Sequence, residues 1–423
     1  MKKNEGQALI TAIIFFLFIS TTITLGVAKP VLHQLSISND LVRSKNSYFL
    51  SESLSEDITY RLKTGKQVSG SESLILGGET ATASVSDILG GKSIVATGNF
   101  SDSVRKVRTD LIMGSGASFS YGVQVGDGGL NISNSATVEG NVFSNGPITG
   151  QNSNLIKGDV ISAGPTGLID GVQATSSAYA HTIRDSQIDK DAHYQIISST
   201  TVGGVLYPNS PDQAVSPLPI SDALIADWET AAAAGGTVTC SGGNYNISGS
   251  VTLGPKKIPC NLSIDGSDRL YLTGPLWVTG NIQFSNTSKV AVDESLSGRT
   301  VAIIADNPSN QTSSSKISAS NSAEFQGAGA NSYILLISQN KSAEQGGGTS
   351  AIDVSNSVFG KVLVYAGHGK IAISNTVNLK EVTAYRIEIN NSAKVIYETG
   401  LANLLFTTGP SGGYTIDEWR ETQ

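Results

Sequence analysis

The feature that most constrains the fold of this chain is a short polar motif that returns along its length. Its first position is apolar, its second is Ser or Asn, its third is Asn and its fourth is Ser or Thr. A second apolar residue follows, usually after two residues of any type. It begins at Ile132, Phe284, Ala319, Val354, Ile373 and Ile389. A second segment, EGNVFSNG at Glu139–Gly146, returns as KGDVISAG at Lys157–Gly164. A fixed short period of this kind is typical of a solenoid.

The spacing of the motif asparagines predicts the size of one coil. Between consecutive members of the series Asn286, Asn321, Asn356, Asn375 and Asn391, the position numbers increase by 35, 35, 19 and 16. We interpret these intervals as two coils, two coils, one coil and one coil of about 17 to 18 residues. A parallel β-helix fits this period, because its short strands bury alternate residues and because Asn and Gly suit left-handed backbone at the turns. Stacked coils bury an apolar face that one coil cannot bury alone.

The composition agrees with a β-rich chain and limits what it can bind. Of the 423 residues, 39% are apolar and 15% are charged, against about 25% charged in ordinary globular proteins. The net charge of -7 and the pI near 5.2, without a basic cluster, argue against nucleic acid as a partner. Two cysteines and four histidines leave little material for a metal site, so no metal and no other cofactor is predicted.

An uncharged, largely apolar run extends from Gln7 to Ala28. As a helix it would be about 33 Å long, enough to cross a hydrocarbon core of roughly 30 Å. Lys2 and Lys3 precede the run, so we expect the N-terminus in the cytoplasm and the bulk of the chain outside. Two alternatives stay open: a secretory signal cleaved after Ala28, and a plain single-span membrane anchor.

The continuation of this run favours one long helix. From residue 31 to residue 62 the chain contains neither Gly nor Pro. Apolar residues recur there at about helical spacing, at Leu41, Tyr48, Leu54, Ile58 and Leu62. A helix over Gln7–Leu62 would be about 84 Å long, and Pro30 is the site of an expected kink. Such a helix can lie in a membrane with its first half and pack against a domain with its second.

The stretch from Met1 to Leu62 resembles the type IV pilin-like proteins, most closely the PilX-type minor pilins. The matching features are the basic leader Met1–Gly6, the following GQAL with its apolar helix, and SYFLSESL at Ser47–Leu54. Glu52 in that segment occupies the acidic position of the family. The resemblance implies cleavage by prepilin peptidase after Gly6, which would leave Gln7 as the mature, N-methylated terminus.

Two positions depart from the pattern of major pilins. The mature chain would begin with Gln7 rather than Phe or Met, and Thr11 stands at its fifth position, where major pilins carry Glu. That Glu is thought to pair with the terminal amine of a neighbouring subunit. The resemblance therefore implies a minor subunit rather than the main subunit of a filament.

Together the patterns predict a mainly β chain, with a long N-terminal helix, a small β-meander and a right-handed parallel β-helix that an insertion interrupts. Seven segments result: leader 1–6, helix 7–62, small antiparallel β region 63–113, first β-helix part 114–165, insertion 166–235, second β-helix part 236–406, and C-terminal cap or tail 407–423. The insertion is expected to contain a short helix in SDALIADWETAAAA, capped by Ser221 or Asp222, with Trp228 holding it to the solenoid.

The two cysteines fit the solenoid prediction. The spacing between Cys240 and Cys260 along the chain is close to one coil. Residues one coil apart stack at roughly 4.8 Å, and disulfides accept Cα separations of about 4.4 to 6.8 Å. A disulfide between neighbouring coils is therefore feasible in an exported domain, and two unpaired buried thiols are the alternative.

The repeats carry no pattern typical of an enzyme. Enzymes built on β-helices need convergent carboxylates on one face, whereas Asp293 and Asp353 have no obvious carboxylate one coil away. His368 in AGHGK is interpreted as a turn residue, and His181 and His193 as the flanks of a solvated loop. We therefore predict no catalytic residue and no metal ligand.

The solenoid also resembles the bactofilins, whose coils of similar length polymerise end to end. Bactofilins act in the cytoplasm, whereas the leader and apolar helix here direct the solenoid outside. We predict a bacterial minor pilin or pseudopilin-like surface protein, placed in the cytoplasmic membrane or, once assembled, in a pilus at the cell surface. Its expected partners are the membrane, other pilin subunits, prepilin peptidase, and a surface carbohydrate or protein ligand bound by an adhesin-like solenoid. The alternatives are a permanently anchored β-helix surface protein and, less favoured, a carbohydrate-active β-helix enzyme.

Overall fold

The computed structural model describes residues 5–63, 68–88, 91–113, 119–398, 400–404, 406–407 and 414–422. The chain forms two compact units. One takes in Met1–Leu62, Gln67–Ile112 and Thr415–Gln423, and the other takes in Lys63–Lys66 and Met113–Tyr414. The second unit is thus an insertion between two parts of the first. The predicted leader, 1–6, lies outside the described residues in its first four positions.

The first unit contains a long helix and a small sheet. Helix α1 spans Glu5–Lys63. Four strands follow: β1 Ser71–Leu76, β2 Glu79–Ile88, β3 Gly91–Phe100 and β4 Ser103–Met113. They form an antiparallel meander, β1 to β2 to β3 to β4, so the predicted meander is confirmed. Positive φ angles at Ser101 and Asp102 make the tight turn between β3 and β4.

The second half of α1 packs closely on this meander. Leu50, Leu54 and Ile58 are buried one helical turn apart. Between the apolar residues runs a row of small hydroxyl side chains: the Ser47 hydroxyl donates to the Ser103 carbonyl at 2.5 Å, and those of Ser55 and Thr109 lie 2.7 Å apart. A Cβ on Gly98 would come within 2.1 Å of the Ser47 carbonyl, so only glycine permits this approach. Small residues on both elements therefore set the spacing between helix and sheet.

The C-terminal strand, Tyr414–Thr422, pairs beside β4 as the fifth strand of this sheet. Arg105 on β4 forms an ion pair with Glu421 at 2.9 Å. Of the two alternatives for 407–423, a cap on the last coil or a tail, the cap is therefore not what the strand Tyr414–Thr422 forms. The physical reason is that the outer edge of β4 needs a partner, whereas the last coil, as described below, is covered by another coil.

The second unit begins with a stack of short strands, termed here the N-terminal stack. Its strands are β5 Val123–Ser133, β6 Thr137–Glu139, β7 Val142–Ser144, β8 Ile148–Gln151, β9 Leu155–Lys157, β10 Val160–Ser162, β11 Leu168–Asp170, β12 Gln173–Ala174, β13 Ala178–Tyr179, β14 Thr182–Arg184, β15 Gln187–Ile188, β16 Ala192–Tyr194, β17 Ile196–Ser198, β18 Thr201–Val202 and β19 Leu206–Pro208.

Helix α2, Asp222–Ala234, then precedes the C-terminal stack. Its strands are β20 Asn244–Asn246, β21 Ser250–Leu253, β22 Lys256–Ile258, β23 Asn261–Ile264, β24 Arg269–Leu272, β25 Leu276–Val278, β26 Ile282–Phe284, β27 Lys289–Val292, β28 Val301–Ala305, β29 Ile317–Ala319, β30 Glu324–Gln326, β31 Ile334–Ser338, β32 Ser350–Val354, β33 Phe359–Gly360, β34 Val362–Ile373, β35 Asn378–Leu379, β36 Glu381–Ile389 and β37 Lys394–Ile396. Short 3-10 turns occupy Glu294–Leu296 and Leu401–Asn403.

All strands of the two stacks pair in parallel with the strands one coil away, so the predicted parallel β-helix is confirmed. A 21-stranded sheet supplies two faces of the solenoid and a 12-stranded sheet supplies the third. Face A contains the strands in register with β7, face B those in register with β8, and face C those in register with β9. Alternate Val, Ile and Leu side chains point inward from every face and form one continuous core.

The two stacks join out of sequence order. The last coil of the C-terminal stack pairs with the first coil of the N-terminal stack, through β36 on β5 and β37 on β6. Ile387 lies opposite Leu130 and Ile389 opposite Ile132, and all four side chains are buried. The solenoid therefore reads in space as the C-terminal stack followed by the N-terminal stack. The first strand of the solenoid in sequence, β5, therefore lies near the middle of the solenoid in space.

This arrangement requires a return connection, which residues 209–235 supply. From β19, at the outer end of the N-terminal stack, to the outermost coil of the C-terminal stack there are some twelve coil steps. At about 4.8 Å a step, the connection must cover about 58 Å. An extended stretch of about 13 residues and the 13-residue α2 cover about 62 Å together. The segment bonds to successive coils as it passes: Ser210 to Tyr194, Gln213 to Gly164, Ser216 to Asn145, Pro217 to Gln124 and Ile220 to Tyr365.

Two predictions about coil length differ from the structure. Residues 166–208, expected to belong to the insertion 166–235, continue the solenoid through β19 in coils that shorten from 18 to 14 residues. The 35-residue intervals, interpreted as two coils each, are single coils: β26 pairs directly with β29, and β29 with β32. Long turns extend these coils without breaking the register, because a solenoid constrains only the residues in its strands.

Candidate functional sites on the helix and the solenoid

The first half of α1 is exposed on all sides. Among the described residues, α1 from Leu9 onward is long and apolar enough to cross a membrane. Its exposed apolar side chains include Leu9, Ile10, Ile13, Ile14, Phe15, Phe16, Leu17, Phe18, Ile19, Ile23, Leu25 and Val27. Apolar side chains in every direction around one helix need an apolar environment, which lipid or other apolar helices can supply.

Three threonine hydroxyls in this region are bonded within the helix. The hydroxyls of Thr21, Thr22 and Thr24 donate to the carbonyls of Leu17, Phe18 and Ser20, at 2.7, 2.7 and 2.8 Å. A hydroxyl bonded to the carbonyl four residues earlier exposes no unpaired donor to lipid. The threonines therefore do not prevent this segment from crossing a hydrocarbon core.

The apolar surface of α1 continues beyond Lys29. Val31, Leu32, Leu35, Ile37, Leu41 and Val42 are 51% to 66% exposed. At about 100° per residue, Val31, Leu35 and Val42 point one way. Ile37 and Leu41 point about 120° away from them, and Leu32 points about 80° away on the other side. His33, Gln34, Asn39 and Asp40 are interspersed with them, so this stretch is less suited to lipid than the first. Its composition suits contact with several protein neighbours at once.

The residues predicted from the pilin resemblance all lie on α1. Gly6 and Gln7 are within the helix, though their side chains are outside the described part of the chain. Thr11 lies on an exposed face. Pro30 lies inside the helix, which continues to Lys63. Sequence reasoning missed the exposed residues from Val31 to Val42 as a candidate surface. The signal was the recurrence of apolar residues on more than one side of the helix.

The motif asparagines form a continuous ladder along the edge between faces B and C. Each donates its side-chain amide to the Oδ1 of the preceding rung at 2.8 to 3.2 Å, in the spatial order Asp265, Asn286, Asn321, Asn356, Asn375, Asn391, Asn134 and Asn152. Each of the seven asparagines has φ between 47° and 60°, and the Ser or Thr that follows is also left-handed. Asn is used here because it tolerates this backbone and bonds along the stack.

Cys240 and Cys260 are joined by a disulfide with a Cα–Cα distance of 6.4 Å. The bond ties the outermost coil of the C-terminal stack to the next coil. That outer coil has a neighbour on one side only, through β20 on β23 and β21 on β24. The disulfide therefore supports the coil that has the fewest stacking contacts.

Helix α2 lies on face A of the C-terminal stack. It carries two acidic residues with shifted pKa values, Asp222 and Glu229. Ser221 caps it by accepting from the Leu224 amide, as one of the two predicted alternatives. Trp228 is buried against face A, with its ring 4.9 Å from that of Phe406. The helix is amphipathic, so its apolar side docks on the coils and closes this face.

His368 is bonded on both sides. Its Nε2 lies 3.0 Å from Asp222 at the start of α2, and its Nδ1 lies 2.8 Å from Glu344. Both contacts are hydrogen bonds when both ring nitrogens carry protons. Burial of Asp222 would raise its pKa, but the hydrogen bond and charge of His368 lower it. The prediction of a turn residue is wrong, because His368 lies within β34, from which it links α2 to the coils.

Glu229 on α2 faces Asp306, which follows β28. Burial, together with the charge of Asp306 and the hydrogen bond to it, raises the pKa of Glu229 to about 8. Burial also raises the pKa of Asp306. Two carboxyl groups in a partly buried site cannot both ionise cheaply, so the pair holds a proton near neutral pH. Protonation of this pair therefore contributes to the docking of α2.

Glu381 is a second buried acid, at the coil where the two stacks meet. It is fully buried, and the Thr383 hydroxyl donates to its Oε1. Its Oε2 has no hydrogen-bond partner among the described residues. Burial raises its pKa well above the ordinary value, because a low-dielectric site favours the neutral carboxyl group. We therefore assign Glu381 to the core of this coil rather than to a site.

The histidines of the N-terminal stack lie in coils rather than in a solvated loop, which corrects that interpretation. His193 is stacked between Tyr179 and Tyr207 on the outside of face A, at ring distances of 4.5 and 4.3 Å. His181 lies 3.1 Å from Asp212 of the return connection. Among the described residues no group of three or more His, Cys, Asp or Glu side chains could hold a metal ion.

Asp293 and Asp353, the two acidic residues considered for catalysis, lie on different parts of the C-terminal stack. Asp293 accepts from the amide and hydroxyl of Ser295, at 3.0 and 2.6 Å, and so caps a 3-10 turn. Asp353 lies on face B with Ser318 and Ala372 in register on either side. Burial raises the pKa of Asp353. The two carboxylates therefore occupy different faces of the C-terminal stack.

No protein-family model matches this chain, and no curated protein matches it either. Among solved structures, the competence-associated pilin ComZ from Thermus thermophilus is similar at 10% identity, over 90% of this chain and 98% of that one, with a TM-score of 0.28. An ice binding protein from an Antarctic bacterium of the Flavobacteriaceae is similar at 11% identity, over 68% of this chain and 82% of that one, with a TM-score of 0.16.

Proposed function

We propose that this chain is a minor pilin-like surface subunit. In this function α1 first holds the chain in the cytoplasmic membrane and then packs among the α1 helices of sister subunits in a type IV pilus-type filament. The solenoid is displayed outside as an adhesin-like interaction module. We propose that it acts by binding and has no enzymatic activity. The more specific likenesses to PilX-type pilins and to bactofilins stay predictions.

The observation that carries this proposal is the apolar surface of α1 between Val31 and Val42. A membrane anchor needs an apolar helix of about 20 residues. The run that ends at Ala28 already provides this length. Six further apolar side chains, half or more exposed and spread around several sides of the helix, have no use in a plain anchor. Burial among neighbouring helices of an assembly would remove them from water.

Paired substitutions in this stretch test the proposal. Leu35→Gln and Ile37→Gln replace apolar side chains on opposite faces of α1 without changing residues 7–28. In the producing bacterium, we expect the doubly substituted chain to insert in the membrane normally. Its amount in sheared surface filaments should fall at least tenfold, because each buried side chain contributes about 1.5 to 3 kcal/mol to the helix contacts. Immunoblots of sheared and membrane fractions measure both quantities.

The matched control is Asp40→Gln, which introduces the same side chain at a polar position on the side of the helix away from Val31, Leu35 and Val42, and it should leave the filament fraction unchanged. Equal filament fractions for the wild type and the Leu35→Gln, Ile37→Gln chain would contradict assembly through this surface. Complete absence of the wild type from filaments would support the permanently anchored alternative.

Mass analysis of the mature N-terminus tests the processing step separately. Prepilin peptidase processing predicts a chain that begins at Gln7 and carries a methyl group. A chain that begins at Met1 would indicate a permanent anchor, and one that begins at Lys29 would indicate a cleaved secretory signal. Neither of the last two results is compatible with a pilin-like subunit.

A further inference from the structure

Face C of the C-terminal stack contains a cleft of about 780 Å³. It lies between two consecutive long turns, 293–300 and 327–333, each of which leaves the coil between face C and face A. The turns are bonded to each other: the Gly298 amide donates to the Ala328 carbonyl at 2.8 Å, and the Ser332 hydroxyl donates to the Arg299 carbonyl at 2.7 Å. The rim of the cleft is therefore a fixed part of the solenoid.

The strand register forms the floor of the cleft. Tyr271, Ala291 and Gln326 are consecutive in one outward row, each one coil from the next. The small Ala291 side chain between two larger neighbours leaves a depression about two coil spacings, or roughly 10 Å, wide. The partly exposed Tyr271 ring forms one wall and Gln326 the other. Val292 and Ala328 line the depression below the rim.

The polar groups of the cleft limit its ligand. Tyr271, Glu294, Ser297 and Gln326 present a phenol, a carboxylate, a hydroxyl and an amide. The described residues that line it include no Lys, Arg or His, so an anionic ligand would meet only like charge. Asp293 is already engaged as a turn cap, which leaves Glu294 as the exposed carboxylate. One free carboxylate is too few ligands to hold a metal cation.

We infer that this cleft binds a neutral saccharide. The apolar face of a sugar ring can pack on Tyr271, as aromatic rings offer a large rigid apolar surface with a polar tip. Sugar hydroxyls can donate to Glu294, a bond strengthened by the charge of the acceptor, and can exchange bonds with Gln326 and Ser297. The volume falls within the range of about 300 to 1,000 Å³ for small-molecule sites and accommodates one or two sugar rings.

This inference rests on the proposed function in one respect, since it names the class of ligand for the displayed interaction module. Binding can nevertheless be measured without filament assembly. Loss of saccharide binding with normal assembly would overturn this inference alone, and normal binding with failed assembly would overturn the proposed function alone.

The experiment uses the full chain in lipid nanodiscs and a panel of immobilised neutral oligosaccharides with glucose, galactose or N-acetylglucosamine units. We expect the wild type to bind at least one member of the panel. Tyr271→Ala and Glu294→Gln should each weaken that binding about tenfold or more, because each removes a separate contact. Binding of no neutral saccharide, or preference for sulfated saccharides or a lysine-rich peptide, would overturn the inference.

A filled cleft provides a second, independent test. Ala291→Leu places a larger side chain on the floor while Tyr271 and Glu294 remain, so it should abolish binding. The matched control is Ala372→Leu, at an outward position on face B, which should bind like the wild type. Both variants keep the inward core residues, and circular dichroism compares their folds. Unchanged binding by a folded Ala291→Leu chain would place the ligand elsewhere and overturn the inference.

Discussion

Asn391 and Asn134 are far apart in the chain, yet the Asn134 amide donates to Asn391 Oδ1 at 3.2 Å. Each rung of this ladder needs left-handed backbone, which costs most residues about 1 kcal/mol or more and costs Asn less. The sequence therefore identified the turn residues correctly from their type. It could not show that the rungs of two separate stretches belong to one ladder, because all rungs look alike.

Glu229 gives a prediction for pH dependence at the residue scale. Its pKa rises from the ordinary value of 4.5 to about 8 in the folded chain, chiefly through burial. The folded state therefore holds this proton more tightly than the unfolded state. The associated stability is fully present below about pH 4.5 and is lost as the pH rises through about 8.

Glu229→Gln removes this titration while keeping a hydrogen-bond donor toward Asp306. We expect the variant to be more stable than the wild type at pH 8, by on the order of 1 to 2 kcal/mol, and not at pH 4.5. Thermal unfolding of the full chain in detergent at the two pH values measures the change. Asp227→Asn, on the exposed side of α2, is the control. A constant difference between Glu229→Gln and the wild type across this range would show that Glu229 is not protonated.

At the scale of elements, coil length separates what the sequence predicted from what it did not. The return of Val142 at Val160 was readable because both copies keep the same residues and turns. From Ala178 the coils shorten to 14 residues and their strands to two or three, so the repeat is lost in sequence although the ladder continues. Long turns conceal the period in the C-terminal stack for a related reason. The register between neighbouring coils depends on the side chains that point inward from the strands. The length of a turn can therefore vary without changing this register.

The disulfide gives a prediction for the outermost coil. Replacing both cysteines, Cys240→Ser and Cys260→Ser, removes a constraint on a loop of 20 residues. A loop of this size corresponds to about 3 kcal/mol, and the loss should concentrate where the coil has one neighbour. Hydrogen exchange should therefore increase over β20 and β21 while it stays unchanged over β26 to β32. Reductant provides the control, since it should affect the wild type and not the variant. Uniform loss of protection along the stack would contradict a local role.

At the scale of the whole molecule, the last coil in sequence stacks on the first coil of the N-terminal stack and so covers its open edge. The first coil of the N-terminal stack would present an open edge until the last coil of the C-terminal stack pairs with it. Open parallel edges invite association with other chains, so this closure protects the middle of the solenoid. It also means that β5 and β6 pair early with β7, β8 and β9 but obtain their second neighbours, β36 and β37, only at the end of the C-terminal stack.

Ile387→Asp tests this closure. The substitution places an unpaired charge in the core opposite Leu130, at a cost of several kcal/mol. We expect hydrogen exchange to increase in β36 and also in β5, which lies far earlier in the chain. Ile188→Asp, in an outer coil of the N-terminal stack, should increase exchange nearby and leave β36 unchanged. If β5 kept its protection in the Ile387→Asp chain, the two stacks would not be joined at this coil.

The long apolar helix, the meander, the parallel β-helix and the left-handed turns could all be predicted from the sequence. Each of these depends on local properties, such as hydrophobic period, residue type at a turn, and run length. The structure was needed to show which coils are neighbours, where the C-terminal strand pairs, and which side chains surround His368, Glu229 and the cleft at Ala291. Those arrangements depend on register between segments distant in sequence, and many registers bury the same alternating side chains equally well until the whole stack is assembled.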